Sequence, residues 1–176
     1  MLQKITRKKT ARSHGEFAIV ASKYNARYVD ALVRAAQAVL TKAGTKPKVV
    51  RVPGAFEIPV VASLLARSSV PKFAAIICLG VIFQGETAHA QHIAEAVSHG
   101  LTRIQIETGV PVIHGVLLFE NEEQARARCL SRDHNRGTEA AQTALEMAAI
   151  VADLIKVQGV SRAADPARGK AKTKLA

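Results

Sequence analysis

The stretch Ala74-Ala75-Ile76-Ile77-Cys78-Leu79-Gly80-Val81-Ile82-Phe83 runs without a charge into Gln84-Gly85-Glu86-Thr87-Ala88-His89. An uncharged run of this length, β-branched in the middle, suits a parallel strand buried on both faces. Behind it, Ile93, Val97, Leu101 and Ile104 fall on one face of a helix. The pattern predicts that Gly85-Glu86-Thr87 lies at a helix N-terminus beyond the carboxyl end of a strand, with His89 one turn into the helix. Open α/β sheets bind ligands at that place, and free backbone N–H groups there attract anions. A histidine beside an anion site adds a proton donor, which is a first hint of an enzyme.

The rest of the chain repeats the alternation. Phe17–Ala21 is a short apolar run stopped by Ser22-Lys23-Tyr24-Asn25, with Asn25 placed as a helix cap. Val29, Leu32, Val33, Ala36, Val39 and Leu40 follow at helical spacing, and Gly44 closes that helix. Val49–Val52 is a second strand, ended by Pro53-Gly54, and Ala55-Phe56-Glu57-Ile58-Pro59 opens the next helix. Pro59 is tolerable only in its first turn, where a missing N–H loses no partner. Val110 to Leu118 is the fourth strand, Glu120 to Arg128 a short helix, and Gly137 precedes a long final helix. That helix turns Ala141, Ala144, Leu145, Ala148, Val151 and Ile155 inward. Strands alternating with helix-length connections predict a parallel sheet with helices on both faces.

Composition narrows the function classes. A chain of 176 residues, 48% apolar, holds one domain with a full core. Cys78 and Cys129 have no C-x-x-C partner, so a disulfide framework is not expected and a reducing, cytoplasmic setting is. Met1 to His14 is basic but leads into no apolar signal region, and no run approaches the ~18 apolar residues of a membrane span. The net charge of +11 sits mostly at the ends. Residues 1–14 carry +5 and residues 161–176 carry +4, which leaves +2 for the body between them. Basic ends of this kind read as flexible solubilising arms rather than as a nucleic-acid groove.

Polar residues gather just after the apolar runs: Tyr24-Asn25, Gly54-Ala55-Phe56-Glu57, Gly85-Glu86-Thr87 with His89, and His114. In a parallel sheet the carboxyl ends of the strands share one edge, so these segments are expected to form one pocket. Each also has a plainer reading: Tyr24 as an edge cap, Phe56 as core, Glu57 as a partner of the helix dipole. A competing set, Glu86-x-x-His89-x-x-His92 with His99 beyond, has some metal-ligand spacing. A helix turns about 100° per residue, which leaves Glu86 and His92 about 120° apart and makes a metal site the weaker reading. Downstream, Arg126 and Arg128 either pair with Glu122 and Glu123 on a solvated face or aim a guanidinium at a phosphate. The spacing leaves both open.

Five segments then resemble one family, in order and in register: Val52-Pro53-Gly54-Ala55-Phe56-Glu57-Ile58-Pro59; Gly85-Glu86-Thr87-x-His89; Pro111-Val112-x-x-Gly115-Val116; Glu123-Gln124-Ala125-x-x-Arg128; and Asn135-x-Gly137-x-Glu139-Ala140-Ala141. They are similar to the 6,7-dimethyl-8-ribityllumazine synthases over about residues 15–157. The resemblance implies a three-layer α/β/α domain with a four-stranded parallel sheet, flavodoxin-like, over 15–158, between basic arms at 1–14 and 159–176. It implies the condensation of 5-amino-6-(ribitylamino)pyrimidine-2,4-dione with 3,4-dihydroxy-2-butanone 4-phosphate, releasing phosphate and water, without metal or organic cofactor.

By position, the resemblance implies that Tyr24 stacks on the pyrimidine, where the family usually has Phe or Trp. Ala55, Phe56 and Glu57 would hold the ribityl chain and ring-side polar groups, and Val81, Ile82 and Phe83 would offer main-chain contacts. Glu86 and Thr87 would cradle phosphate with Arg128, His89 would transfer protons, and Glu139 would tune that region. His114 and Arg136 fall at substrate-binding positions where an apolar aromatic and Lys are common, and Gln84 stands where Arg is frequent. The resemblance further implies a homo-oligomer, pentameric at least, with sites between neighbours and in some members a 60-subunit shell. The alanines at 140, 141, 144, 148, 149 and 152 would suit helices close to a symmetry axis or an ordinary core. Ser131-Arg132-Asp133-His134 lacks the glycines often found there in shell formers. A non-catalytic lumazine or flavin carrier, or a shell protein, is the alternative use of the same pocket.

Overall fold

In the computed structural model, which describes residues 15–163 with side chains through residue 157, β1 (Glu16–Ser22) and β3 (Phe73–Phe83) run side by side. They form the middle of a parallel sheet in the order β2-β1-β3-β4, with β2 (Lys48–Val52) and β4 (Val112–Phe119) at the edges. All three pairings are parallel. The period-two alternation of a strand divides the core into two layers. Phe17, Ile19 and Ala21 of β1 and Ala75, Ile77 and Leu79 of β3 point to one face. Helices α1 (Ala26–Lys42) and α5 (Arg136–Ala163) cover that face. Ala18 and Val20, with Ile76, Cys78 and Ile82, point to the other, under α2 (Ile58–Ala66) and α3 (His89–Thr108). Because α1 leaves β1 on one face while α3 leaves β3 on the other, a crevice opens between the carboxyl ends of these two strands.

Several boundaries differ from the sequence expectation, each for a local reason. The helix α3 begins at His89, so the histidine is its first residue and not one turn inside, and Gly85–Ala88 is a loop. Residues 55–57 form a turn closed by Ile58 N–H donating to the Ala55 carbonyl (3.2 Å), and α2 starts only at Ile58. The short helix after β4 is a single turn, α4 (Glu122–Ala125), capped by Asn121 and continued as a π-turn over Arg126–Leu130. Gly137 does not precede the last helix but lies in its first turn. There a methyl group would meet the Leu32 carbonyl oxygen of α1 at 2.1 Å, so glycine permits the close approach of α5 to α1. Ala140, Ala141 and Ala144 are buried in that contact, within the chain itself. At 28 residues α5 outruns the 17-residue α1, so Ile155, expected inward, is exposed along with Ile150 and Leu154.

The arm expected at 1–14, and the part of the tail at 159–176 that follows Ala163, lie outside the described residues. Among the described residues no helix is long and apolar enough to cross a membrane.

Candidate active site

At the end of β1 the chain turns through Lys23, Tyr24 and Asn25. Lys23 N–H donates to the Val52 carbonyl (2.8 Å) and Tyr24 N–H to Pro53 (3.2 Å), which locks this loop to the end of β2. Arg51 reinforces the lock from below, donating to Asp30 of α1 (2.7 Å) and to the Ser22 carbonyl (2.8 Å). Asn25 is left-handed (φ 55°), a conformation asparagine tolerates. Its side chain caps nothing. It donates instead to the Val81 carbonyl (2.8 Å), across the crevice to β3. The expectation of a capping Asn25 is thereby corrected: the amide is a strand-to-strand clamp.

The loop after β2 presents Glu57, whose carboxylate accepts from Gly54 N–H (2.8 Å). A methyl on Gly54 would lie 2.8 Å from that carboxylate and 3.5 Å from the Tyr24 ring, so ring and carboxylate flank one glycine. Tyr24 is 73% and Phe56 61% exposed, so neither aromatic ring is core in this chain. Both stand free at the mouth of the crevice, available to stack on a planar ligand. Beyond β3, Glu86, Thr87 and His89 are exposed, and His89 N–H reaches Thr87 Oγ1 at 3.5 Å. Tyr24, Ala55, Phe56, Glu57, Val81, Ile82, Phe83, Glu86, Thr87 and His89 thus share the carboxyl edge.

The remaining expected residues do not join them within one chain. His114 is not at the carboxyl end of its strand. It pairs in register with Cys78, midway along β3, and hydrogen-bonds Ser98 of α3 (2.8 Å). Ser98 lies nine residues beyond His89, roughly 13 Å along the helix axis. The fourth strand, expected over Val110 to Leu118, runs through His114 to Phe119, so grouping His114 with the strand-end residues is corrected. Because the Ser98 hydroxyl gives its single proton to the Ala94 carbonyl (2.7 Å), it must accept the Nε2–H of His114, which leaves Nδ1 with the lone pair in the neutral ring. Burial lowers the His114 pKa below its ordinary value, with a bond to its own backbone acting the other way.

Arg128, Arg136 and Glu139 belong to the opposite layer, with α1 and α5. The Asn135 side chain joins their two segments, donating to the Cys129 carbonyl while accepting from Gly137 N–H (2.9 Å). Of the two arginines, Arg126 pairs with Glu122 (2.9 Å), whereas half-buried Arg128 has no ion pair among the described residues. Arg136 pairs with Glu139. Burial raises the Cys78 pKa and pushes Cys129 up to about 12, so neither thiol is a nucleophile near neutral pH. Among the described residues no three His, Cys, Asp or Glu side chains gather as metal ligands, and Glu86, His89 and His92 form no such group. Sequence reasoning missed Asn25 as a clamp, Arg51 and Ser98, because each acts through a partner far along the chain.

The arrangement is a crevice with exposed aromatic rings, the carboxylates of Glu57 and Glu86, a loop with backbone N–H groups and an imidazole, suited to a flat polar heterocycle beside an anion. Comparison with known proteins gives the family. The family model for 6,7-dimethyl-8-ribityllumazine synthase matches residues 14–152. A 6,7-dimethyl-8-ribityllumazine synthase of Xylella fastidiosa (strain 9a5c) is 45% identical over 141 residues, covering 78% of this chain and 90% of the relative. Those of Xanthomonas oryzae pv. oryzae (strain PXO99A) and Stenotrophomonas maltophilia (strain R551-3) are 45% and 43% identical, covering 74% and 78% of this chain and 86% and 90% of theirs. A match of this extent across the strands, the crevice loops and the arginine turn makes the chain a member of the 6,7-dimethyl-8-ribityllumazine synthase family.

Proposed function

We propose that the chain is a working transferase of riboflavin biosynthesis. It condenses 5-amino-6-(ribitylamino)pyrimidine-2,4-dione with 3,4-dihydroxy-2-butanone 4-phosphate and releases phosphate and water. Tyr24 stacks on the pyrimidine, Glu57 and the Ala55-Phe56 turn hold the ribityl side, and the main chain of Val81–Phe83 meets the ring. Glu86 and Thr87, with Arg128 and Arg136, hold the phosphate, Glu139 orients the guanidinium it pairs with, and His89 moves protons between amine, carbonyl and departing oxygen. Much of the rate comes from holding two substrates together, with acid–base help from the imidazole. No cofactor is invoked.

The observation that carries the assembly is the division of these residues. His89 and Tyr24 lie at the carboxyl edge, His114 lies midway along the strands, in β4 beside Ser98 of α3, and Arg128 lies in the other layer. Each chain therefore offers two half-sites, and a ring of copies that sets one half against the neighbour's other half completes them. We take that ring to be a pentamer, with a 60-subunit shell as its further closure. The free, buried cysteines are consistent with a reducing cytoplasm. The arms at 1–14 and 159–176 flank the domain and are not needed for the chemistry. The direct test mixes the two substrates with purified protein and follows lumazine absorbance together with phosphate release. Tight binding of a yellow or fluorescent ligand with no turnover would favour the carrier instead.

A further inference from the structure

Gln84 is the last residue before the loop that leads into α3, and its side chain folds over that loop. Its Nε2 donates to the Gly85 carbonyl and to the Thr87 carbonyl, each at 3.1 Å, while its own backbone N–H donates to the Phe119 carbonyl at 2.7 Å. Only an amide nitrogen can face two carbonyls, so the orientation of the side chain follows from its partners. In a planar trans peptide the C=O and the next N–H point in opposite directions. Drawing the Gly85 and Thr87 carbonyls toward Gln84 therefore turns the N–H groups of Glu86 and Ala88 the other way. Neither N–H has an acceptor among the described residues. Gly85 has open space where a side chain would stand.

We propose that Gln84 is a positioning residue for the phosphate-bearing substrate, holding two peptide planes so that the Glu86 and Ala88 N–H groups converge on the phosphate. This rests on the reading of the loop as the phosphate side of the synthase site. Gln84 touches no substrate atom in this scheme. A neutral amide here takes over the ordering of the anion loop by orienting dipoles rather than by adding charge.

The test compares wild-type protein with Gln84→Met, which keeps the length of the side chain and removes the donor. Inorganic phosphate is titrated into both by calorimetry at constant ionic strength, and KM for each substrate is measured in the condensation assay. Phosphate affinity is expected to fall about tenfold, with a parallel rise in KM for the phosphate-bearing substrate. KM for the pyrimidine and the melting midpoint should not move. Equal phosphate affinity in the two proteins overturns the proposal even where wild-type protein makes lumazine. An equal loss for the pyrimidine, or a lowered melting midpoint, also overturns it, because that marks a general structural role. If wild-type protein makes no lumazine, the synthase reading fails, and the phosphate titration still decides what Gln84 does.

Discussion

His89 opens α3 with its ring exposed and, among the described residues, its backbone N–H held only by a long contact to Thr87 Oγ1, so it is placed to serve a substrate. His89→Ala is expected to leave the melting midpoint in place and to lower kcat by about 10²–10⁴-fold, or less if proximity dominates. Unchanged kcat with both substrates saturating would remove the proton-transfer role. Arg128 differs from its neighbour Arg126, whose charge is occupied by Glu122. Arg128→Ala should weaken the phosphate-bearing substrate by roughly 1.5–3 kcal/mol and the pyrimidine far less, read by equilibrium titration of each. Equal losses would mark it as a structural arginine. His114 sets a pH dependence. Its folded pKa is lowered by burial, so unfolded chains bind the proton first as the pH falls. Stability is then full above the unfolded value of about 6.5 and declines as the pH drops from there toward the folded value. Thermal melts between pH 7.5 and about 5 should show this decline, and His114→Phe should flatten it. A variant that melts with the same pH profile as wild type would assign the slope to other groups.

At the scale of elements, the close seat of α5 on α1 depends on Gly137. With Leu32 backbone atoms at 2.1 to 2.7 Å from an added methyl, Gly137→Ala must push the helices apart. A cost of about 3 kcal/mol is expected, read as a lower urea midpoint, and an unchanged midpoint would mean that α5 does not pack this way. Such contacts explain where the sequence was and was not legible. The sheet and its two helical layers follow from local pattern: the unbroken apolar run Phe17–Ala21 and the helical spacing from Val29 to Leu40 are written in adjacent residues, and the fold reproduces them. The crevice was legible as a location, because every strand end carried polar residues and a parallel sheet gathers strand ends. Its fastenings were not. Asn25 resembles any helix cap until Val81, 56 residues away, takes its amide. The start of α3 shifted to His89 because Gln84 holds the preceding carbonyls, and the role of Gly137 is invisible without Leu32. His114 misled because a polar residue inside an apolar run was grouped with the strand ends, although it pairs with Cys78 midway along β3.

At the scale of the whole molecule, the two groups of site residues decide what kind of assembly has a complete site. In one chain His89 lies on the α2/α3 layer and Arg128 on the α1/α5 layer, so under the proposed function a lone chain would hold two incomplete halves. Cyclic closure repeats one contact until every half is matched, and the isolated chain should then be both unstable and inactive. Light scattering should give at least five copies of the 18.8 kDa chain, about 94 kDa, or about 1.1 MDa for a shell of sixty. A fully active monomer or dimer would overturn the shared site. Subunit hybrids give the sharper test. His89→Ala and Arg128→Ala chains are each expected to assemble into impaired homomers. Unfolded, mixed in equal amounts and reassembled, they should form random rings in which about a quarter of the interfaces pair an intact His89 with the neighbour's intact Arg128. The mixture should then recover about a quarter of wild-type activity, well above the sum of the two homomers. Recovery should be absent when the assembled homomers are merely combined without subunit exchange. If reassembled mixtures stay at the level of the homomers, His89 and Arg128 serve the same chain's site, and the half-site model fails with them.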